Sequence, residues 1–407
     1  MASQVLSEQD ARERARRIHA EHIVVDSLSP HFIAEWVLTP EMVEEGKRLQ
    51  AQGLKRFAIQ RRLADFLIAE CERSPAARET YMSYWRRSGV AAGNNTLYGA
   101  GPPDSAWESL MADFGRVNRM VRALGGEVVQ AASADDVAAA HRAGRKAVFY
   151  NIQNAEPIGD KLERVDTLFG LGLRGMQLTY NLRTRFGDGC LEKNDGGMSR
   201  FGEALVERMN AVRMMVDVSH ASAGTARDAI QCSTRPVIAS HTAARDLSGH
   251  ARGLPDSVMR AMADRGGYAG VVILPAFLHP PGGDPRASQA GKPPGWATLD
   301  LLVDHVQHLI HVMGEDHVGI GTDWGKPYYT ALTWTAEMVH EASSTGFDWV
   351  AWRPQDNFDC NDQMLDVETW DKWPNITAAL LRRGIPESTV VKLVGGNFLR
   401  VFKEVCG

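Results

Sequence analysis

The sequence lacks the features that mark several large classes of protein. Its five cysteines among 407 residues are scattered and form no CxxC pair, so we expect a reducing cytoplasm and no disulfide framework. No stretch reaches the roughly 18 apolar residues of a membrane span, and the charged N-terminal stretch has no apolar core of a signal peptide. Its 45 Lys and Arg and 50 Asp and Glu form no blocks of like charge. These absences predict a cytoplasmic protein that binds neither membrane nor nucleic acid.

The sequence does contain short apolar runs, rich in β-branched residues, that alternate with segments of helical period. The runs are continuously apolar, which indicates strands buried on both faces and is typical of a parallel sheet. The predicted strands are His22–Ser27, Val90–Leu97, Lys146–Asn154, Gly175–Tyr180, Met214–His220, Pro236–His241, Tyr268–Leu274 and His317–Asp323.

Helical segments separate most of these strands, at 104–123, 134–143, 159–170, 199–213, 222–233, 255–266 and 298–313. Eight strands with interleaved helices predict a (β/α)8 barrel of the TIM type. A doubly wound open sheet is the alternative, although no GxGxxG follows the first strand. We expect one domain over residues 1–407, with a helical insert at about 41–88 and a tryptophan-rich insert at about 326–373. The stretch NFLRVFKEV predicts a closing amphipathic helix.

Polar residues end several of the predicted strands. His220 ends the fifth strand, His241 the sixth and Asp323 the eighth. The carboxyl ends of the strands form the active site in an α/β barrel, so these side chains should converge. Neutral imidazoles from adjacent strands can share one divalent cation, and Zn²⁺ suits such ligands. Gln153-Asn154 and Tyr180-Asn181 end two further strands.

Seven stretches occur in an order that resembles the membrane (renal) dipeptidase family, which are binuclear zinc peptidases of the amidohydrolase-type barrel. They are GLRGMQLTYN, GDGC, MMVDVSH, PVIASH, HARGLPD, HVGIGTD and GGNFLRVF. The resemblance covers most of the chain from about residue 20. It implies a (β/α)8 barrel and the hydrolysis of dipeptides by a metal-bound hydroxide.

The resemblance also implies roles for single residues. His220 and His241 stand where the family has zinc ligands on the fifth and sixth strands. Arg252 matches the arginine that holds the substrate carboxylate, and Asp323 matches the aspartate that handles the proton. Tyr180 stands where the family carries a histidine that contacts the scissile carbonyl. We take Asp323 and Tyr180 as candidate catalytic residues and Arg252, Gln153 and Asn181 as candidate substrate-binding residues.

Three of the five family metal ligands are missing from this sequence. The family's first strand ends in Asp-Gly-His-Asn-Asp, whose His and final Asp bind one zinc, but Leu28 and Pro30 stand at those two positions. The glutamate that bridges the two metals is Gln153 here, and a neutral carboxamide cannot offset the charge of two cations. We therefore expect at most one zinc ion, held by His220 and His241.

The third ligand of such an ion is an open question in the sequence. Catalytic zinc normally has three protein ligands and a water. Asp323 is the best candidate by strand position, and Cys190 and Tyr180 are weaker ones. His31 lies one residue past the missing first-strand aspartate and could substitute for that ligand of the first ion only if its loop shifted.

Three functions remain open at this point. The first is a metal-dependent hydrolase of a dipeptide or a related small amide that carries a carboxylate. The second is a metal-independent enzyme of the isomerase or lyase type, since two imidazoles near neutral pH suit proton transfer. The third is an inactive binding protein that keeps Arg252 for carboxylates. A homo-oligomer is possible under all three.

Overall fold

The strands of this computed structural model form one parallel sheet that closes on itself. The described residues are 6–29, 37–97, 104–293, 295–323, 331–340, 348, 350–353, 356, 358–359 and 361–407. Their strands are β1 (Val25–Asp26), β2 (Ala92–Leu97), β3 (Val128–Gln130), β4 (Lys146–Ile152), β5 (Leu173–Gln177), β6 (Met215–Asp217), β7 (Ile238–Thr242), β8 (Tyr268–Val271) and β9 (Val318–Ile320).

Eight of these strands follow one another around a barrel, in the order β1, β2, β4, β5, β6, β7, β8 and β9. Backbone hydrogen bonds connect the first strand to the last, from Ser27 N to Ile320 O (3.0 Å) and from Asp323 N to Leu28 O (2.9 Å). This is the predicted (β/α)8 barrel. The unpredicted strand β3 pairs with β4 outside this order, and its three residues are too few to form a recognisable apolar run.

Helices cover the outside of the barrel. They are α1 (Glu8–Glu21), α2 (Pro40–Ala51), α3 (Arg56–Arg73), α4 (Pro75–Ser88), α5 (Ala106–Ala123), α6 (Ala134–Arg142), α7 (Arg164–Gly170), α8 (Arg200–Val212), α9 (Ala223–Cys232), α10 (Arg245–Ser248), α11 (Asp256–Asp264), α12 (Pro275–Leu278), α13 (Pro285–Gln289), α14 (Leu299–Met313), α15 (Ala336–Val339), α16 (Pro374–Arg382), α17 (Glu387–Val391) and α18 (Asn397–Cys406). None of the helices in the described ranges has the length and apolarity needed to cross a bilayer.

Serine side chains start several of these helices. Ser133, Ser199 and Ser222 each accept a hydrogen bond from a backbone N–H in the first turn, at α6, α8 and α9 respectively. Such caps satisfy a donor that the helix itself leaves unpaired. The predicted insert at 41–88 contains α2 to α4, whereas the predicted insert at 326–373 lies partly outside the described residues. The single-domain organisation of residues 1–407 stays a prediction.

The C-terminal helix α18 fills the amino-terminal end of the barrel. Phe398, Val401, Phe402 and Val405 recur at helical spacing and are all buried. They pack against the lowest interior layer of the barrel, which consists of Val25, Ala92, Ala147, Phe149, Met215, Ile238 and Tyr268. The ring of Phe402 stacks on that of Phe149 with 4.8 Å between centroids. The strands therefore enclose a packed apolar floor and not a pore.

A layer of polar side chains lies directly above this floor. Side chains two residues further along a strand return to the same face, and here they are Ser27, Asn94, Asn151, Gln177, Asp217 and Ser240. All six are buried, with at most 1% of their surface exposed. We call these residues the polar layer, and it separates the apolar floor from the mouth of the barrel.

Truncating the floor should destabilise the protein. Phe402→Ala removes a fully buried aromatic ring, so we expect the free energy of unfolding to fall by about 3–5 kcal/mol in urea titrations. The neighbouring surface variant Lys403→Ala is the control, since its exposed ion pair with Asp135 should contribute at most about 1 kcal/mol. Equal effects of the two variants would contradict the assignment of α18 as part of the core.

Candidate active site

Two histidines meet at the mouth of the barrel. His220 follows β6 and His241 lies in β7, and their Nε2 atoms are 3.2 Å apart. Their exposed fractions are only 3% and 0%. Burial lowers the pKa of both imidazoles well below its ordinary value, and the positive charge of Arg252 lowers it further. Both rings are therefore neutral near pH 7.

Hydrogen bonds at the far nitrogen of each ring fix its orientation. Asn181 Oδ1 lies 2.8 Å from His220 Nδ1, and Ser240 Oγ lies 2.9 Å from His241 Nδ1. The Asn181 carboxamide donates from Nδ2 to Val350 O (2.8 Å), so its oxygen is the group that faces His220. His220 must then donate from Nδ1, which leaves a lone pair on Nε2. Asn181 thus orients His220, and a direct contact of Asn181 with substrate stays a prediction.

The facing imidazoles fit two of the ligands of a zinc ion. Two Zn–N bonds of 2.0–2.1 Å at a tetrahedral angle place the nitrogens about 3.3–3.4 Å apart, close to the 3.2 Å between His220 and His241. A cation between the two Nε2 lone pairs would remove their mutual repulsion at this distance. The donor set therefore fits one ion.

No third protein ligand completes this pair within the described residues. Neither Asp323 nor any other His, Cys, Asp or Glu in these ranges joins the two histidines in a group that could hold a metal. The Cys190 thiol lies 3.6 Å from Asn181 Oδ1, on the Nδ1 side of His220 and away from Nε2. His31 and Pro30, which the sequence analysis considered for the first ion, lie outside the described residues.

Gln153, which the resemblance aligns with the metal-bridging glutamate of the family, belongs to a network of neutral groups. Gln153 Nε2 donates to Thr96 Oγ1 (3.1 Å), Thr96 Oγ1 donates to Asn151 Oδ1 (3.2 Å), and Asn151 Nδ2 donates to Asn94 Oδ1 (2.9 Å). Leu28, which the resemblance aligns with a histidine ligand of the family, is fully buried and apolar. Because none of these groups carries a negative charge, this part of the site does not fit a second cation.

Arg252 lies beneath the two histidines as a buried cation. Its guanidinium donates to the carbonyl oxygens of Ser219 and His241, and only 1% of the residue is exposed. Its Nε has no hydrogen-bond partner among the described residues, and the guanidinium forms no ion pair in those ranges. The Asp323 carboxyl acts on Arg252 only from beyond contact distance. A buried charge that no anion contacts is costly, so this group is suited to receive one.

Asp323 and Tyr180 complete the group of ionisable residues. Burial raises the pKa of the Asp323 carboxyl to about 6, against the opposing charges of Arg252 and Arg56. Burial also raises the pKa of the Tyr180 phenol to about 12, again opposed by the two arginines. The Tyr180 ring stacks on His220 with 4.1 Å between centroids. The structure thus brings Tyr180 against His220, and the charge of Arg252 acts on both predicted catalytic residues.

The sequence analysis missed Arg56, the first residue of α3. Only 6% of it is exposed, and its guanidinium lies 4.5 Å from the centroid of the Phe57 ring. Phe57 packs with Val350, and Tyr180 and Trp352 pack against this pair. A single arginine in a helical insert carries no sequence signal, so only the fold reveals that its charge acts on the site.

An aromatic group from the second insert covers the Arg252 side of the mouth. Trp352 stacks on Phe358 (4.7 Å) and on Phe277 (5.5 Å between centroids). The Arg252 guanidinium lies 5.6 Å from the Phe277 ring centroid. Residues of the predicted tryptophan-rich insert therefore contribute to the walls of the site.

Comparison with known proteins identifies the family of this chain. A model of the family described as membrane dipeptidase, peptidase family M19, matches residues 12–335 and 329–406. The chain belongs to the membrane dipeptidase family. It is therefore a dipeptidase-family hydrolase, and membership implies dependence on a metal ion, typically zinc.

Individual relatives extend the comparison. Dipeptidase verJ of Clonostachys rogersoniana is 28% identical over 307 residues, which are 74% of this chain and 67% of that protein. An amidohydrolase from Pseudomonas aeruginosa has a TM-score of 0.71 at 26% identity, over 97% of this chain and 99% of that one. A metallo peptidase from Rhodobacter sphaeroides, solved with a phosphinate mimic of the dipeptide L-Ala-D-Ala, has a TM-score of 0.63 at 21% identity. The match covers 84% of this chain and 97% of the Rhodobacter protein. At 21% identity, this likeness shows only that the two proteins share a fold.

Replacing Arg56 should change the titration of Asp323. The positive charge of Arg56 lowers the pKa of this carboxyl, so Arg56→Gln should raise it above its value of about 6. The measurement is a ¹³C carboxyl titration, with the Asp323 signal identified by its loss in Asp323→Asn. Lys55→Gln is the matched control, because this adjacent cation interacts with Glu337 at the surface. An unchanged Asp323 pKa in Arg56→Gln would contradict the proximity of the two charges.

Proposed function

We propose that this protein hydrolyses a dipeptide or a related small amide that carries a carboxylate, with at most one metal ion at His220 and His241. The observation that carries the proposal is the pair of neutral imidazoles whose Nε2 atoms face each other at 3.2 Å. Membership of the dipeptidase family supports hydrolysis. The ligand-bound Rhodobacter structure supports a dipeptide-like substrate.

The limit of one ion rests on charge. Two cations close together need anionic ligands between them, and Gln153 offers a neutral carboxamide bonded to Thr96. The side chain at position 28 is apolar and buried. When bound, a zinc ion would supply Lewis acidity, which acidifies water and polarises a carbonyl.

The remaining residues have separate roles in the proposed reaction. Arg252 binds the substrate carboxylate, because its buried guanidinium needs an anion and a fork of N–H groups suits a carboxylate. Asp323 takes a proton from the attacking water and returns it to the leaving amine, for which its pKa of about 6 is appropriate. Tyr180 and Gln153 line the pocket and offer hydrogen bonds to the amide that is cleaved.

A second candidate function is proton transfer without a metal, as in an isomerase or a lyase. It is favoured by one observation, that the described residues provide no third ligand beside His220 and His241. Two neutral imidazoles, together with the buried Asp323 carboxyl of pKa about 6, would then act as acid and base. Turnover that survives removal of metal by a chelator would favour this candidate.

A substrate panel tests the proposed hydrolysis. With one ion in place of two, we expect turnover of simple L,L-dipeptides below the ~10 per second of a typical enzyme and faster turnover of a more specialised amino-acid or peptide derivative. The measurement is amine release with added Zn²⁺. Turnover above ~100 per second on a generic dipeptide would show that the lost ligands are not needed. No turnover of any amino-acid derivative would favour a binding protein.

Metal content tests the limit of one ion. We expect at most one zinc per chain by elemental analysis of protein purified without chelator, and none in His220→Ala, because one imidazole alone cannot hold the ion. His311→Ala is the control, since this histidine is exposed on α14. Two stoichiometric zinc ions would refute the one-ion proposal.

The role of Arg252 can be separated from its structural contacts. Arg252→Lys should raise KM for a carboxylate substrate more than tenfold, a loss of about 1.4 kcal/mol or more, because an ammonium cannot form the paired contact. The same substrate with its carboxylate converted to a carboxamide is the control, and its KM should change much less. An equal rise in KM for both substrates would show that Arg252 does not bind the carboxylate. Its role would then be limited to its hydrogen bonds with the carbonyl oxygens of Ser219 and His241.

A further inference from the structure

A buried carboxylate in the polar layer lies below His241. Asp217 ends β6, and only 1% of it is exposed. It accepts hydrogen bonds from Gln177 Nε2 (3.3 Å), Ser219 N (3.0 Å), Ser219 Oγ (2.6 Å), Ser240 N (3.1 Å) and Ser240 Oγ (2.5 Å). Burial raises the pKa of this carboxyl, and the hydrogen bonds from Ser219 and Ser240 oppose that shift because they favour the charged form. All five contacts are donated to the two carboxyl oxygens, which therefore act as acceptors.

The hydroxyl of Ser240 connects this carboxylate to His241. Ser240 Oγ lies 2.5 Å from Asp217 Oδ2 and 2.9 Å from His241 Nδ1. A hydroxyl has one proton, and Ser240 donates it in the shorter of the two contacts, to the Asp217 oxygen that also accepts from Gln177. Ser240 can then only accept from His241, so the imidazole proton is on Nδ1 and the lone pair is on Nε2.

The opposite arrangement would have a different consequence for the site. If Ser240 donated to His241, the proton of that ring would be on Nε2, 3.2 Å from Nε2 of His220. The two imidazoles would then share this proton and could not both bind a cation. The group that accepts the Ser240 proton therefore decides between two arrangements. Either both histidines can bind a metal ion through Nε2, or they form a hydrogen bond with each other.

We propose that Ser240, held by Asp217, is a positioning residue that keeps the proton of His241 on Nδ1 and directs its Nε2 lone pair toward His220. Asn181 has the same role for His220 from the other side, through the carboxamide oxygen. The use of the lone pair for a metal ion rests on the proposed function. The assignment of the proton does not, because it follows from the hydrogen bonds alone.

The chain offers a matched pair of variants. Ser219 and Ser240 are both fully buried, and each hydroxyl donates to Asp217. Only Ser240 contacts an imidazole nitrogen, whereas Ser219 Oγ accepts from the backbone N–H of His241 (3.1 Å). Ser240→Ala and Ser219→Ala therefore each remove one hydroxyl that donates to Asp217. Only Ser240→Ala also removes a contact with the imidazole of His241.

The first measurement is the tautomer of His241 in metal-free protein labelled with ¹⁵N-histidine. We expect the Nδ1–H form in the wild type and in Ser219→Ala. In Ser240→Ala we expect a loss of this preference, since Nδ1 has lost its acceptor. A wild-type His241 that carries its proton on Nε2 would overturn the proposal, and this result needs no variant to fold.

The second measurement is the Kd for Zn²⁺, by competition with a chelator, in variants whose thermal unfolding remains cooperative. Loss of a group that orients a histidine ligand typically weakens metal binding about 10–100-fold, so we expect this change in Ser240→Ala and less than about threefold in Ser219→Ala. Equal changes in the two variants would overturn the positioning role. A wild type that has the Nδ1–H form but binds no zinc would refute the metal in the proposed function and leave the proton assignment supported.

Discussion

The backbone hydrogen bonds that close the barrel determine where every functional group lies. Ser27 N and Ile320 O join the first strand to the last, and closure brings all carboxyl ends of the strands to one mouth. Asp26 strengthens this closure, because its buried carboxylate accepts from Thr322 N (2.9 Å) and Trp373 Nε1 (3.1 Å). Trp373 of the second insert therefore stabilises the closure of the barrel. Other residues of the same insert, such as Trp352, line the site.

Much of the fold and the central part of the site could be predicted from local patterns. Each apolar run was long enough to indicate a strand, apart from β3, and the two histidines ended consecutive strands. The third-ligand hypothesis for Asp323 had weaker support, since the position of a residue at the end of a strand does not give the distance between side chains on strands that are not neighbours. The contributions of Arg56 and Trp352 could not be predicted, because they arise from packing between segments that are remote in sequence.

The charge of a metal ion connects the three positions at which the resemblance to the family predicts that ligands are missing. A cation at the first position would need anionic or imidazole ligands, and the described part of that position has carboxamides, a hydroxyl and an alkyl group. The polar side chains at this position form hydrogen bonds with one another, from Gln153 to Thr96 and from Thr96 to Asn151. Restoring a single glutamate at position 153 would place a carboxylate among neutral partners without recreating the other two ligands.

The apolar floor has a consequence for biosynthesis. Residues 397–406 of α18 follow every barrel strand in the chain, so a ribosome makes them after the sheet itself. Until they emerge, Phe149 and its neighbours face water at the open end of the nascent barrel. The strands can pair during translation, but the interior reaches its final density only when this helix docks. Chaperones that recognise exposed aromatic surface would therefore find their target in the interval between these two events.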